Sequence, residues 1–458
     1  MKELKPETLS GQEALFNEGV YFSDPKLYSI AQRAHRESQE KFCNLFHQVT
    51  EKRVIKALSR INIKSGKGPD GIRQSLAVRH SDWLLPSHLD AIHKCKYQAP
   101  ASRRVYIPKA NGGKRPLGVG NIIDRGIQGA LREVLDHIYE QDFLSCSFGF
   151  RPKRGAHNAL ATLNHGIRDE GLRYFLEVDL ENFFGTINHK WMMEFLEHRI
   201  ADKRVLTVIR SWLKAGVIKE GKTLKNESGV AQGGAISPLL ANIYLHYVLD
   251  LWFEKKIKPR LKGRSRLIRY ADDFVVGFTS EAECRDFKVL LEARLLQFGL
   301  RINQSKTHIT GLRAGKSSKP GLIRRHIKLL GFKIFLSQRL KGSRPKIVYK
   351  TDSQRLTASL RSIKEHLWHM MHWSPAEQSR YLNQVLRGHF NYYGLAGNGK
   401  GLGLFRHKVI HIWRRTLSRR SQVSNVSWAA MEILLKKHKL TQPRLKIPYS
   451  RLDAYVIV

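Results

Sequence analysis

The chain has 458 residues, 42% of them hydrophobic, enough to bury substantial cores in two to four domains, so a disordered tail is excluded. Its 80 Lys and Arg against 39 Asp and Glu give a formal charge of +41. Self-repulsion of that size opposes compaction unless a polyanion uses it, and nucleic acid is the partner it implies. No segment has the unbroken apolar length of a bilayer span, and the polar start Met1-Lys2-Glu3 lacks a signal peptide's apolar core. Cys43, Cys95, Cys146 and Cys284 form neither a Cys-x-x-Cys set nor a disulfide framework. The expected setting is cytoplasmic, away from membranes and on the nucleoid when DNA is bound.

From Asp24-Pro25 onward Leu27, Ile30, Ala31 and Ala34 recur at helical spacing, followed by Phe42, Leu45 and Phe46, so residues 1–60 read as a helical extension. Ser65 to Gly71 is loop by composition; its glycines flank Lys67 but lack the Gly-x-x-x-x-Gly-Lys-Ser/Thr spacing of a P-loop. Arg104–Lys109 and Lys114–Val119 flank Asn111-Gly112 and predict a hairpin. It carries Lys109 and Arg115, two cations able to reach a triphosphate, although cations on hairpins are also ordinary surface charge. Ile123 to Phe143 reads as a helix with Ile127, Leu131, Val134, Leu135 and Ile138 on one face. It leads to Ser147-Phe-Gly-Phe-Arg-Pro152, a loop with cations at Arg151, Lys153 and Arg154.

Phe175, Leu176 and Val178 predict a buried strand with Asp179 at its carboxyl end, where an unpartnered carboxylate is expensive to bury. Gly229 to Pro238 is a glycine-bearing loop entering a helix, with Ser237 as N-cap, Pro238 in the first turn, and Leu239, Leu240, Ile243, Tyr244 and Val248 as a buried stripe. Leu267-Ile268 and Phe274-Val275-Val276 predict two strands that meet at Tyr270-Ala271-Asp272-Asp273. Two acids in a turn are by themselves common turn chemistry. If this hairpin and the Asp179 strand are neighbours in one sheet, three carboxylates converge at one edge. Mg²⁺ asks for such donors, taking octahedral oxygen ligands from one or two carboxylates plus phosphates and water. Two ions about 4 Å apart can activate a 3′-hydroxyl and stabilise departing pyrophosphate.

Leu356, Leu360, Ile363, Leu367 and Met370 predict a helix over Ser353–Trp373, and Ser374-Pro375 starts a second through Tyr381, Val385 and Leu386. His366, His369 and His372 have no cysteine or acid cluster beside them and read as core or solvated histidines. Lys400 to Val458 holds 13 Lys or Arg against Glu432 and Asp453, a net +11. Phe405, Trp413, Trp428, Tyr449 and Tyr455 interleave, and cations with rings are the usual grip on RNA or single strands. A helix packed through Val409, Ile412 and Leu417 leaves Arg414, Arg415, Arg419 and Arg420 for the polyanion.

In order along the chain stand Tyr106-Ile-Pro-Lys109 with Lys114-Arg-Pro-Leu-Gly118, the Ser147–Pro152 loop, and Asp179-x-x-x-Phe-Phe184. Then come Gln232-Gly-Gly-x-Ile-Ser-Pro-Leu-Leu-Ala-Asn-Ile243, Tyr270-Ala-Asp-Asp273, and Gly299-Leu300 with Lys306-Thr307. Through these motifs, residues from about 50 to 335 resemble the fingers and palm of a reverse transcriptase, in particular bacterial group II intron-encoded proteins. The resemblance implies an α+β right-hand polymerase with fingers, a palm with an antiparallel sheet, a helical thumb, and a basic C-terminal helical domain. The divisions would be 1–60 for the extension, 61–178 for fingers with the start of the palm, 179–345 for palm, 346–398 for thumb and maturase-like helices, and 399–458 for the basic region.

The same resemblance implies an RNA-directed DNA polymerase, a nucleotidyltransferase using two Mg²⁺ ions, with Asp179 and Asp272 as metal ligands and Asp273 as the third acid. Phe184 matches the aromatic residue that blocks a ribose 2′-hydroxyl, Lys109 and Arg115 the cations on the incoming triphosphate, and Gln232 the residue beside the nascent base pair. Lys306 matches a lysine proposed to protonate pyrophosphate, with an ordinary strand-end lysine as the alternative. Arg151, Arg414, Arg415, Arg419 and Arg420 are the candidate nucleic-acid contacts. Leu329-Leu330-Gly331-Phe332 resembles a primer-contacting hairpin, and Arg387-Gly-His-Phe-Asn-Tyr-Tyr-Gly394 a maturase signature.

The implied partners are an RNA template, in this family a group II intron RNA, a DNA primer or target, and dNTPs, in support of splicing and mobility. The chain departs from the family at Gly185, where Phe-Phe-Asp is usual, and at Ala231, where Pro precedes Gln-Gly-Gly. No paired-Cys or His-rich nuclease cassette follows the basic region, so an appended endonuclease is not expected. Two alternatives stand: a domesticated relative acting in DNA repair or anti-phage defence, and an RNA-binding splicing factor with a spent polymerase. Retention of all three acids argues against the second.

Overall fold

The computed structural model describes residues 24–108, 113–219, 222–224, 228–231, 233–312, 326–337, 346–421 and 425–457. Helix α1 (Pro25–Arg36) starts at Asp24, whose carboxylate accepts from the backbone N–H of Lys26 and Leu27, a cap that contributes about 1 kcal/mol. Leu27, Ile30, Ala31 and Ala34 form its buried face, as their spacing predicts. It packs with α2 (Glu51–Ser59) against α3 (Ile122–Asp142), where Leu58 of α2 lies directly on Gly126.

The expected hairpin forms from β1 (Ser102–Pro108) and β2 (Lys114–Val119), paired antiparallel with Ile107 opposite Arg115. Its tip, with Lys109, lies outside the described residues. The short strands β4 (Val217–Lys219) and β5 (Lys222–Leu224) widen it into a sheet of order β2-β1-β4-β5.

The central sheet is antiparallel throughout and runs β6-β7-β3-β8. Its strands are β3 (Tyr174–Val178), β6 (Ser265–Tyr270), β7 (Asp273–Phe278) and β8 (His308–Gly311). Side chains alternate between its faces. Leu176, Val178, Leu267, Phe274, Val276 and Phe278 join a core with α3. Phe175, Ile268 and Val275 join a second core with α4 (Ala156–Arg168) and a three-stranded sheet of β9 (Ile327–Leu329), β10 (Phe332–Leu336) and β11 (Ile347–Thr351).

Helix α5 (Ser237–Leu245) corrects one sequence expectation and extends another, its predicted stripe of Leu239, Leu240, Ile243, Tyr244 and Val248 being buried. The residue before its first turn is Ile236, and the Ser237 hydroxyl donates to the Ala231 carbonyl at 2.8 Å instead of capping the helix. The helix is also buried all round, Leu239 through Leu245, because α3 and the helix His189–Glu197 both pack on it. Wider i→i+5 turns at His246–Asp250 and Phe253–Ile257 continue it.

Helix α6 (Glu281–Gln297) packs on β3 and β7. Helix α7 (Ser353–His369) ends four residues short of the expected Trp373, and α8 (Pro375–Tyr393) opens with a capping box between Ser374 and Glu377. With α9 (Gly399–Ser418) and α10 (Trp428–Lys437) these helices share one core of Ile363, Leu367, Leu382, Leu386, Phe405, Val409, Trp413 and Met431. The segment after α10 returns to α4, where Asn158 donates to the Tyr455 carbonyl at 3.1 Å and Thr162 to that of Ile457 at 3.2 Å. Among the described residues no helix is long and apolar enough to cross a membrane.

Candidate active site

The β6–β7 hairpin closes at Tyr270 opposite Asp273, leaving Ala271 and Asp272 as its two turn residues. Ala271 takes a left-handed φ of 58°, a conformation disfavoured for a residue with a Cβ. The turn is braced from behind. Arg269 Nη1 donates to the Ala271 carbonyl at 3.1 Å, and the loop Ser147–Pro152 lies so close that any Cβ at Gly149 would strike Ala271 N. This close approach accounts for the glycine in that loop.

Strand β3 brings the third acid to the same edge. Val178 pairs with Phe274, so Asp179, one residue further, comes level with Asp273. Lys306 Nζ donates to Asp179 Oδ2 at 3.0 Å, and the Asn303 N–H donates to the Asp179 carbonyl at 2.8 Å. Loss of hydration, then the charge of Asp179, raises the Asp272 carboxyl above its usual range, while Arg115 and Arg269 pull it down. Asp273, although exposed at the hairpin edge, is pushed up to about 7, first by loss of hydration beside the surrounding protein and then by the like charges of Asp272 and Asp179. The N–H of Leu330 opposes that rise. Leu330 and Gly331 form the β9–β10 turn at φ 51° and 80°. Thus the sheet edge gathers Asp179, Asp272, Asp273, Arg115, Lys306 and the Leu330 turn. Among the described residues no three His, Cys, Asp or Glu side chains close on one point as metal ligands; the acids share an edge rather than a formed cage.

Phe184 sits half-buried five residues beyond Asp179, its ring edge-on to Phe183 with centroids 5.4 Å apart. Its carbonyl accepts from Val230 N–H at 2.7 Å, and Gly229 N–H donates to Ile187 at 2.8 Å, so the glycine-bearing loop lies on the Phe184 turn. Gly229 at φ 89° would set a Cβ 2.7 Å from the Phe184 carbonyl oxygen and 2.8 Å from Gly185 Cα, and a Cβ on Gly185 would collide with the Asn182 side chain. The absence of a side chain at Gly185 suits this crowded contact. Gln232 lies outside the described residues; the loop beyond it is held by Gln128, whose Oε1 accepts from Ala235 N–H at 2.9 Å.

Arg151 is a correction. Its side chain is fully buried against Glu140 at 2.9 Å and donates to the carbonyls of Phe143, Leu144 and Ser147, so it organises the loop and does not face a nucleic acid. The C-terminal cations divide. Arg414 donates to Val426 at 2.8 Å and lies over the Trp428 ring, and Arg420 donates to Trp373 at 2.6 Å. Arg415 and Arg419 are exposed. A cleft of about 1110 Å³ opens between α8 and residues 441–451, lined in part by Arg387, Asn391, Arg444, Lys446 and Arg451.

Three buried polar groups escaped sequence reasoning. Arg269 pairs with Asp250. Glu177 accepts from the Thr310 hydroxyl at 2.5 Å and from the Lys328 N–H at 2.9 Å, tying the two sheets together. Asp124 accepts from Tyr97 and, at 3.1 Å, from Trp212. A lone charge inside an apolar run, as at Arg269 and Glu177, is the signal that would have flagged two of them.

A sequence profile of the family described as reverse transcriptase (RNA-dependent DNA polymerase) matches residues 107–334. Protein YkfC of Escherichia coli is 33% identical over 310 residues, 59% of this chain and 80% of that protein. The group II intron-encoded protein LtrA of Lactococcus lactis is 28% identical over 476 residues, covering 85% of this chain and 77% of its own. Nuclear intron maturase 2, mitochondrial, of Arabidopsis thaliana is 27% identical over 175 residues, 30% of this chain and 23% of that protein.

Proposed function

The chain belongs to the reverse transcriptase family, beside group II intron-encoded proteins, and is an RNA-directed DNA polymerase; on that premise we propose that Asp179, Asp272 and Asp273 form its catalytic centre. The observation that carries the reading is the meeting of these three carboxylates at one edge of the central sheet, each raised or paired by its neighbours. The donor set fits Mg²⁺, since it offers only hard oxygens and its mutual repulsion is relieved by a divalent cation. When bound, two Mg²⁺ ions supply charge for the attacking 3′-oxygen and the departing pyrophosphate.

The residues around the acids take the remaining tasks. Arg115 and Lys109 bind the triphosphate, Gln232 lies beside the nascent pair, and Phe184 excludes a 2′-hydroxyl. Lys306 holds a proton at Nζ beside Asp179 and delivers it to pyrophosphate. The Leu330 turn, hydrogen-bonded to Asp273, receives the primer end. In this reading the fold is a right hand, with the β1–β2 sheet in the fingers, the central sheet as palm, and α7 and α8 as thumb.

Arg415, Arg419 and the cleft at Arg387, Arg444 and Lys446 then supply phosphate contacts to an intron RNA that is both bound as maturase substrate and copied during mobility. Asp272→Asn tests the centre. Primer extension on an RNA template should fall by at least about 10³-fold, the loss typical of preorganised charge removed from a reacting centre, while RNA affinity stays within about twofold. Extension at the wild-type rate would remove Asp272 from the site.

A further inference from the structure

Arg269 occupies the strand position before Tyr270 and is completely buried beneath the turn that carries Asp272. A guanidinium has five N–H donors, and here each has an acceptor. Nε and Nη2 form a fork on Asp250 at 2.8 and 2.5 Å. Nη2 also donates to Ser147 Oγ at 2.8 Å, and Nη1 donates to Asn242 Oδ1 at 2.9 Å and to the Ala271 carbonyl at 3.1 Å. Asn242 in turn donates to the Gly149 carbonyl at 2.8 Å, in the loop pressed on Ala271 N. One side chain therefore joins a helix, a loop and the hairpin, and its last bond ends on the strained turn residue.

The helix is shaped for this arrangement. In an unbroken α-helix eight residues would carry Asp250 about 80° past Asn242. The i→i+5 turn over His246–Asp250 advances less per residue and brings Asp250 back toward the Asn242 line. A local widening that costs helix geometry is found where two acceptors must face one guanidinium.

We infer that Arg269 is a positioning residue for polymerisation, holding the Ala271-Asp272 turn in its left-handed shape through a network seated on Asp250, Asn242 and Ser147. The inference rests on the assignment of Asp272 to the catalytic centre. Lysine cannot replace it, because its three donors radiate from one point and cannot reach four partners in a plane.

Arg269→Lys tests this beside Arg199→Lys. Arg199 is a comparably buried arginine, paired with Asp142 and with the carbonyls of Ala34 and Glu37, and without a hydrogen bond to the turn. For Arg269→Lys, kcat on an RNA template should fall about 100-fold with KM for dNTP within about threefold, as displacement of a catalytic group by an ångström does. Mn²⁺ binding to the free protein, followed by electron paramagnetic resonance with the metal alone, should weaken at least about fivefold. Arg199→Lys should lower the thermal midpoint and leave kcat and Mn²⁺ binding unchanged.

Wild-type kcat and Mn²⁺ binding in Arg269→Lys, with only a lowered midpoint, overturns the inference. Should that variant not fold, Ser147→Ala removes a single acceptor, and kcat should fall about fivefold with only a small drop in the midpoint, roughly the worth of one buried hydrogen bond; an unchanged kcat overturns the inference equally. Failure of the underlying assignment shows separately, as persistent extension by Asp272→Asn.

Discussion

Phe184 and Arg151 were both read from motifs, and their surroundings separate them. Phe184 is half-buried, with its backbone fixed by Val230 and its ring by Phe183, so truncation should alter an accessible surface more than the core. Phe184→Ala is expected to lower discrimination against ribonucleotides by at least about 30-fold, the scale of steric selection in a shaped pocket, measured as the ratio of kcat/KM for dNTP and rNTP. Unchanged discrimination would detach Phe184 from sugar selection. Arg151, by contrast, is the buried partner of Glu140. Arg151→Gln should destabilise the fold by about 3–5 kcal/mol, as removal of one member of a buried pair does, and leave the salt dependence of RNA binding untouched. Residue type and spacing announced both positions, but a cation's direction depends on which carboxylate the fold brings beside it.

At the scale of elements, α5 and its wider turns hold one notable titrating group and α8 another. His246 and His389 are buried, the latter stacked on Phe405 at 3.6 Å between ring centroids, and burial pushes both imidazoles down to about 4. The unfolded chain takes up a proton near 6.5, whereas the folded one resists until about 4. Their contribution is therefore complete above pH 6.5 and is lost as pH falls from 6.5 toward 4, at up to about 1.4 kcal/mol per pH unit for each histidine. The thermal midpoint should drop across that window, and His389→Leu should drop less steeply; parallel slopes would show that His389 does not carry the effect. The helical periods of α1, α3, α7 and α8 were legible because each buries a stripe against a neighbour. The expected stripe of α5 is buried, but Ala241, Asn242 and Leu245 are buried with it, and a helix enclosed on nearly every side has no polar face whose period could announce them.

Across the whole molecule the charge of +41 is distributed unevenly in its availability. Because α9 and α10 complete the core of α7 and α8, and residues near Ile457 anchor α4, removing residues 400–458 would unfold more than a binding surface. Single neutralisations are the cleaner probe: Arg415→Gln and Arg419→Gln should each reduce the slope of log affinity against log salt by roughly 0.7–0.9, and an unchanged slope would return that arginine to the solvated surface. The sequence by itself determined the polyanion partner, the strands that end in Asp179 and Asp272, and the order of motifs that identifies a polymerase, because net charge, alternation and turn chemistry are local properties of the chain. Only the tertiary structure decided that β3 lies beside β7 so that three acids share an edge, that Arg151 is internal while Arg415 is open, and that Asp250, Asn242 and Ser147 meet on Arg269. The Arg269 meeting joins residues 19 to 122 positions apart and even the Arg151–Glu140 pair spans 11, and separation of this kind leaves no periodicity from which such a meeting can be read.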